Sequence, residues 1–249
     1  MTLRVAARTE CGPVREHNED SLFVDEARGL FLVADGMGGH AAGEVASALA
    51  VRVVADDLAA FLASATYPYP EADVRAALGG AARHANDAIL AKGMDAPGAM
   101  LGMGTTLTVL VVLGTRYLIA HVGDSRAYLL RGGALTRITR DHSYVEELVQ
   151  GGLLSEDEAR VHPKRNLITR SLGTQTSVEI DFFAGDLLAG DVLLLCTDGL
   201  SGELGPPAIQ TLLAERGPDP AAAVDGLIEA AIRAGGRDNA TAVVVRVEG

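Results

Sequence analysis

Short apolar and β-branched runs in the middle of the chain are separated by turns of hairpin length. The runs are Gly29 to Ala34, Thr105 to Leu113, Tyr117 to Val122 and Ala127 to Arg131. Two of the gaps between them are Gly114-Thr115-Arg116 and Arg131-Gly132-Gly133. These lengths and residue types predict buried strands, and the central stretch is expected to form an antiparallel meander.

Apolar residues at helical spacing lie on both sides of this stretch. Gly43 to Ala63 and Pro70 to Lys92 are predicted to form two long amphipathic helices. Further along, a second set of elements is predicted, with strands at Asp191 to Cys196 and Ala240 to Val247 around helices at Pro207 to Glu215 and Pro220 to Ala234. Strands grouped apart from helices favour an α+β fold with antiparallel sheets covered by helices.

The segment from Asp141 to Gly173 mixes helix-forming and turn signals without a strand pattern. A long irregular insert between strands is often functional, because binding residues are commonly placed on such segments. The alternative is a surface decoration without a role.

Composition excludes several classes of protein. The 249 residues carry 33 Asp and Glu against 21 Lys and Arg, a net charge of −12, which argues against nucleic acid as a main partner. The longest apolar stretches run five to seven residues, far short of the ~20 needed to cross a bilayer, and the N-terminus lacks the apolar core of a signal peptide. We therefore expect a soluble, cytoplasmic protein of one domain or at most two.

The two cysteines, Cys11 and Cys196, are far apart in the sequence, and we expect both to be free thiols. His17 and Gly202 stand six positions after them, where a thiolate phosphatase would have Arg. No Cys or His pair has zinc spacing, so a tetrahedral zinc site is not expected.

Acidic residues stand where the apolar runs end. Phe31 to Ala34 leads into Asp35-Gly36, and Leu193 to Thr197 leads into Asp198-Gly199. A single Asp-Gly is more often a turn than a ligand. Four further acids have comparable positions beside strands, namely Glu19, Asp20, Asp124 and Asp238.

Convergence of these strand ends would place six carboxylates on one rim. At an effective dielectric near 20, each like-charge pair at 4 Å repels by about 4 kcal/mol, so the cluster needs protons or cations. Carboxylate and carbonyl oxygens select Mg²⁺ or Mn²⁺. Two such ions bridged by an Asp would support in-line attack of a hydroxide at phosphorus.

Eight motifs follow one another along the chain, namely Arg15 to Asp20, Val33 to His40, Gly104 to Thr106, His121 to Arg126, Thr139 to Ser143, Thr169 to Gly173, Cys196 to Leu200 and Gly236 to Asn239. In this order they resemble the motifs of the metal-dependent type-2C serine/threonine protein phosphatases, the PPM family, in its bacterial branch. The resemblance runs from about residue 4 to residue 247. It implies a four-layer α-β-β-α sandwich of two packed antiparallel sheets flanked by helix pairs. It also implies a single catalytic domain, 1–249, with a flap at about 143–173.

The resemblance also implies a metal site. Asp35 matches the carboxylate that bridges two core Mn²⁺ or Mg²⁺ ions, and Gly36 the carbonyl ligand beside it. Asp198 and Asp238 match the other direct ligands, while Glu19 and Asp20 match acids that hold metal-bound waters or ligate at longer range. Asp124 with Asp198 matches a weaker third site. Gly202 stands where some relatives have an acid, which leaves a weakened third site or one that uses Glu203.

Two residues match catalytic positions of the family. Arg15 matches the phosphate-binding guanidinium, with a surface ion pair as the alternative. His40 is a candidate general acid, although Met37-Gly38-Gly39 separate it from Asp35-Gly36 and a metal-bound water is the alternative. Of the other histidines, His121 is expected in the core and His84 on the surface, while His142 and His162 fall in the irregular segment.

The resemblance implies an enzyme that hydrolyses phosphoserine and phosphothreonine in proteins, among them serine/threonine kinases, by attack of a hydroxide bridging the two ions. We expect a monomer. A second hypothesis is a catalytically silent phosphoprotein-binding regulator of the same fold. A third is a two-metal hydrolase of small phosphate esters or nucleotides, which would share the carboxylate pattern.

Overall fold

A computed structural model describes residues 1–38, 42–65, 68–95 and 102–249. Its strands are β1 (Thr2–Glu10), β2 (Asp20–Asp25), β3 (Leu30–Met37), β4 (Gly104–Thr105), β5 (Leu107–Leu113), β6 (Arg116–Val122), β7 (Arg126–Arg131), β8 (Ala134–Arg137), β9 (Asp181–Asp186), β10 (Val192–Cys196) and β11 (Ala240–Glu248). Its helices are α1 (Ala42–Ser64), α2 (Glu71–Asp95), α3 (Tyr144–Gln150), α4 (Glu156–Val161), α5 (Asp198–Ser201), α6 (Pro206–Arg216) and α7 (Pro220–Ala234).

The strands form two antiparallel sheets. One sheet has the order β1-β11-β10-β7-β8, and the other has the order β2-β3-β5-β6-β9 with β4 paired to β3. Helices α1 and α2 cover the outer face of the six-stranded sheet, and α6 and α7 cover the outer face of the five-stranded sheet. A third apolar cluster fills the space between the sheets. The α+β fold with four layers is therefore confirmed.

Strand β3 shows how an apolar run serves two layers. Its residues are buried on both faces, and side chains alternate between the faces with a period of two. Leu30 and Leu32 pack in the cluster with α1 and α2, whereas Phe31 and Val33 pack between the sheets. This dual burial explains why β3 is continuously apolar rather than alternating.

The predicted central meander is wrong at one connection. The hairpin β5–β6 forms as expected, and the predicted turn at Arg131-Gly132-Gly133 leads from β7 into β8, but β6 pairs onward with β9 and β7 pairs onward with β10. Gly123-Asp124-Ser125 carries the chain from one sheet to the other. Gly123 has φ +108, and a Cβ there would lie 2.5 Å from Thr106 Cγ2, so glycine is required at this crossing.

The predicted helices and strands agree with the structure to within a few residues, and α7 begins and ends where the periodicity predicts. The elements that were not predicted are β1, β8, β9 and the short helices α3, α4 and α5. Two of these helices lie in the irregular segment, where Ser143 and Ser155 cap their N-termini. No helix in the described ranges is long and apolar enough to span a membrane.

Candidate metal centre

The acidic strand ends meet because of the sheet registers. Asp20 at the start of β2 stands opposite Asp35 on β3. Asp198 directly follows Thr197 at the end of β10, and Asp238 lies two residues before β11, the neighbour of β10 in the same sheet. Both sheets therefore direct carboxylates to one end of the sandwich.

The carboxylates interact strongly. Burial raises the pKa of Asp35, Asp124 and Asp198 above the usual value, and neighbouring carboxylates raise it further. For Asp35 these neighbours include Asp20 and Asp198. Like charges in a poorly solvated site cannot all ionise unless cations neutralise them. The cluster therefore holds protons when no cation is bound.

Asp20 combines favourable hydrogen bonds with an unfavourable location. Its Oδ2 accepts hydrogen bonds from the hydroxyls of Thr197 at 2.7 Å and Thr241 at 2.6 Å. These bonds favour the ionised form, yet burial together with the charges of Asp198 and Asp238 raises the pKa of Asp20 to about 8. Desolvation thus outweighs two hydroxyl donors.

Asp124 lies in the turn between the sheets. It is 6% exposed, and its Oδ1 has no hydrogen-bond partner among the described residues. An orphaned buried carboxylate oxygen is costly and calls for a missing ligand. Oxygen donors without sulfur or imidazole suit Mg²⁺ or Mn²⁺.

Glu19 and Gly36 are held against each other. The backbone N–H of Gly36 donates to the Glu19 carbonyl at 3.0 Å, and the Ser47 hydroxyl donates to the same carbonyl at 2.6 Å. A Cβ on Gly36 would lie 2.6 Å from that oxygen, so no side chain fits there. Burial raises the pKa of Glu19.

Arg15 lies at the edge of the cluster. Its Nη2 donates to Asp238 Oδ2 at 2.6 Å, and its side chain is 48% exposed. The ion pair that the sequence offered as an alternative role does form, but its partner is a candidate metal ligand. The guanidinium is accessible beside the acidic cluster.

Within the described ranges, no three His, Cys, Asp or Glu side chains are arranged as a preformed metal shell. Burial and the charge of Asp198 raise the pKa of Asp35, Asp20 accepts from two hydroxyls, and Asp238 accepts from Arg15. The raised pKa values of Asp20, Asp35, Asp124 and Asp198 and the orphaned Asp124 oxygen nevertheless show oxygen donors that suit hard cations in chemistry and need positive charge to ionise together.

Some residues of the site were not identified from the sequence. Asn239 is 4% exposed, and its side chain accepts from the Glu19 N–H at 2.8 Å and donates to the carbonyls of Cys11 and His17 at 2.9 Å each. It therefore ties the segment carrying Arg15 and Glu19 to the start of the last strand. The only sequence feature that could have identified Asn239 is its position directly after Asp238 in the motif Gly236 to Asn239.

Arg126 and Asp141 are two further residues of the site that the sequence did not identify, and they form an ion pair. The Arg126 Nη2 donates to Asp141 Oδ2 at 2.6 Å, and Nε lies 3.0 Å from both carboxylate oxygens. Asp141 is 7% exposed. Both residues line a groove of about 570 Å³ that also reaches Asp124 and Asp198.

Not every predicted site residue is brought to the cluster. His40 lies outside the described residues, so its predicted role remains a prediction. Glu203 lies against Gly235 and 3.8 Å from Arg237 Nε, which favours a weakened third site over one that uses Glu203. His121 is fully buried with both ring nitrogens bonded, and His84 is exposed on α2, both as predicted.

Residues 14–217 match the family described as protein phosphatase 2C. Serine/threonine protein phosphatase PstP of Mycobacterium tuberculosis is 46% identical over 250 residues, which cover 99% of this chain and 45% of that protein. The chain thus spans less than half the length of this curated relative.

Solved structures are similar along the whole chain. The crystal structure of the Mycobacterium tuberculosis serine/threonine phosphatase PstP/Ppp has a TM-score of 0.90 and 42% identity, and covers 100% of both chains. The catalytic domain of PstP in complex with 2 manganese ions has a TM-score of 0.87 and 42% identity, and covers 99% of both chains.

Proposed function

Because the chain belongs to the protein phosphatase 2C family, we propose that it hydrolyses phosphoserine and phosphothreonine in proteins, using bound Mn²⁺ or Mg²⁺. The observation that carries the proposal is the convergence of buried and half-buried aspartates, with raised pKa values, beside an accessible guanidinium. Such a cluster concentrates cations, and a phosphoryl group is the anion that cations and Arg15 would bind together.

The proposed ligands of two core ions are Asp35, Asp198 and Asp238 with the Gly36 carbonyl, while Glu19 and Asp20 act at longer range or through water. Asp124 with Asp198 would hold a third ion. When bound, the ions would supply positive charge and an acidified water for attack at phosphorus. A manganese-bound relative of 42% identity supports this choice of metal.

Arg15 would bind the phosphoryl oxygens. A guanidinium keeps its charge at all working pH values and offers a planar fork of donors that matches phosphate geometry. Asp238 fixes the guanidinium by accepting from Nη2. His40 is proposed to give a proton to the departing serine or threonine oxygen.

The biological setting is proposed with the activity. Phosphorylated proteins, including serine/threonine kinases, are the proposed substrates of a cytoplasmic monomer. Residues 1–249 are proposed to act as one catalytic domain with a flap at about 143–173. Pairing of β1 with β11 supports this, because it joins the two ends of the sequence in one sheet.

The test is hydrolysis of a phosphothreonine peptide by metal-stripped protein as Mn²⁺ is titrated back at pH 8. We expect activity to rise from zero and to be lost in Asp238→Ala. Asp225→Ala is the matched control, because Asp225 also pairs with an arginine but lies exposed on α7. It should behave as wild type.

Two results would overturn the proposal. Absence of turnover in protein that binds Mn²⁺ would favour the silent phosphoprotein-binding regulator. Faster turnover of free nucleotides than of the phosphopeptide would favour a hydrolase of small phosphate esters.

A further inference from the structure

The turn that carries Asp124 between the sheets is held by one histidine. The Gly123 N–H donates to His142 Nδ1 at 3.0 Å, and the His142 N–H donates to the Gly123 carbonyl at 2.7 Å. His142 therefore bonds both backbone groups of the residue directly before Asp124. It is 7% exposed, so water does not compete for these bonds.

The bonding pattern fixes the state of the ring. Since Nδ1 accepts a hydrogen bond from a backbone N–H, the ring proton is assigned to Nε2. Nε2 lies 3.2 Å from Asp181 Oδ2 on β9 and 3.0 Å from Arg170 Nη1, which itself donates to Asp181 Oδ1 at 2.9 Å. With Nδ1 acting as the acceptor, the Nε2 proton is directed to Asp181, and Arg170 donates to that carboxylate rather than to the ring. Burial lowers the pKa of His142, which keeps the ring neutral in this arrangement.

His142 also connects the turn to the irregular segment. Its carbonyl accepts from the Thr169 N–H at 2.8 Å, and Thr169 precedes Arg170 at the end of that segment. The Asp124 turn, the two ends of the segment and β9 therefore meet at one residue, with the ring contacting the turn and β9 and the backbone joining the turn to Thr169. A displacement of this ring would move the backbone that carries Asp124.

We propose that His142 is a positioning residue for Asp124, which it holds with its orphaned oxygen directed toward a bound cation. The inference rests on the proposed function, because Asp124 is a ligand only if ions bind. His142 would touch neither the ion nor the substrate. Its effect would pass through the backbone of Gly123, as outer partners of metal ligands commonly act.

Two amide substitutions separate this role from general packing. In His142→Asn the side-chain oxygen replaces Nδ1, so the bond from the Gly123 N–H is kept while the contact with Asp181 is lost. In His142→Gln the longer amide reaches Asp181 but leaves the Gly123 N–H without its acceptor. Both variants replace the same buried imidazole by an amide side chain. If the ring served only to pack the structure, both variants would therefore weaken Mn²⁺ binding.

The experiment measures Mn²⁺ binding by calorimetry for wild type, His142→Asn, His142→Gln and Asp124→Asn. We expect Asp124→Asn to abolish one Mn²⁺-binding step. We expect His142→Gln to weaken the Mn²⁺ affinity of that same step by between about 10- and 100-fold. His142→Asn should keep that step within about threefold of wild type. Turnover of a phosphothreonine peptide, measured on the same preparations, tests the proposed function separately.

Equal binding by His142→Gln and wild type would overturn the inference, as would a wild type in which no binding step depends on Asp124. Should a variant fail to fold, the nitrogen chemical shifts of the wild-type imidazole give a second measurement. A proton on Nε2 with an unprotonated Nδ1 is expected, and a protonated Nδ1 would contradict the bond from Gly123.

Discussion

Arg15 donates from Nη2 to Asp238 Oδ2 over 2.6 Å, although the two residues are 223 positions apart in the sequence. The register of the first and last strands explains the contact. Glu10 at the end of β1 stands opposite Ala240 at the start of β11, so the loops beyond these residues meet. The candidate phosphate-binding residue and a candidate ligand are therefore positioned by one strand pair.

Replacing Arg15 by Ala should reduce kcat/KM for a phosphothreonine peptide by about 10- to 100-fold. A hydrogen bond to a charged group contributes about 1.5–3 kcal/mol, and each ~1.4 kcal/mol is a tenfold change in rate. Steady-state kinetics at saturating Mn²⁺ would measure the change. Arg8→Ala is the control, since Arg8 bonds Glu10 and Asp225 on the surface and its loss should leave kcat/KM unchanged.

Stability of the metal-free protein should fall as the pH rises. The pKa of Asp20 is about 8, against a usual value of 3.8, and those of Asp35, Asp124 and Asp198 are also raised. The folded state thus holds protons that the unfolded state releases, so stability is complete below the usual carboxyl pKa and is lost as the pH rises through the folded values. Urea unfolding in chelator should show a lower free energy of unfolding at pH 8.5 than at pH 7.

Added Mn²⁺ should reverse this loss, because cations replace the protons. The comparison is made above pH 7 since His121 acts in the opposite direction at lower pH. Burial lowers the pKa of His121 from 6.5 to about 3, so its contribution to stability is complete above pH 6.5 and is lost as the pH falls toward 3. Stability in chelator that is flat or rising between pH 7 and pH 8.5 would contradict the prediction.

The sequence predicted the fold where local pattern and tertiary environment agree. The heptapeptide Leu107–Leu113 is apolar except at Thr108 because both of its faces are buried, and α7 has a clear apolar stripe between Asp219 and Gly235. The strands β1 and β9 were missed because partly exposed edge strands carry charges that dilute the apolar pattern. The edge positions follow from the strand order, which local periodicity does not encode.

Prediction of the candidate site was uneven for a similar reason. Aspartates at strand ends are visible in a sequence, so the acidic cluster could be predicted. The bonds of Asn239 and His142 join segments distant in the chain, and nothing local distinguishes them from ordinary polar residues. The sheet change at Gly123 was missed because a glycine-containing turn between two strands is also what a hairpin would show.

Only one of the two cysteines should react in the native protein. Cys196 lies on β10 and is fully buried, and burial raises the pKa of its thiol to about 12. Cys11 is partly exposed. A disulfide reagent at pH 8 should therefore modify one thiol quickly and the second only after unfolding, whereas Cys11→Ser should show no fast reaction. Two fast equivalents in the wild type would contradict the burial of Cys196.

Replacing Asn239 by Ala should lower the free energy of unfolding by about 1–3 kcal/mol, because it leaves the Glu19 N–H and the carbonyls of Cys11 and His17 without partners in a partly buried location. Urea unfolding measures the loss, and the exposed Asn166→Ala should change stability by no more than about 0.5 kcal/mol. Because Asn239 holds the segment that carries Glu19, Mn²⁺ affinity should fall as well. An Asn239→Ala protein as stable as Asn166→Ala would show that these bonds do not hold the segment in place.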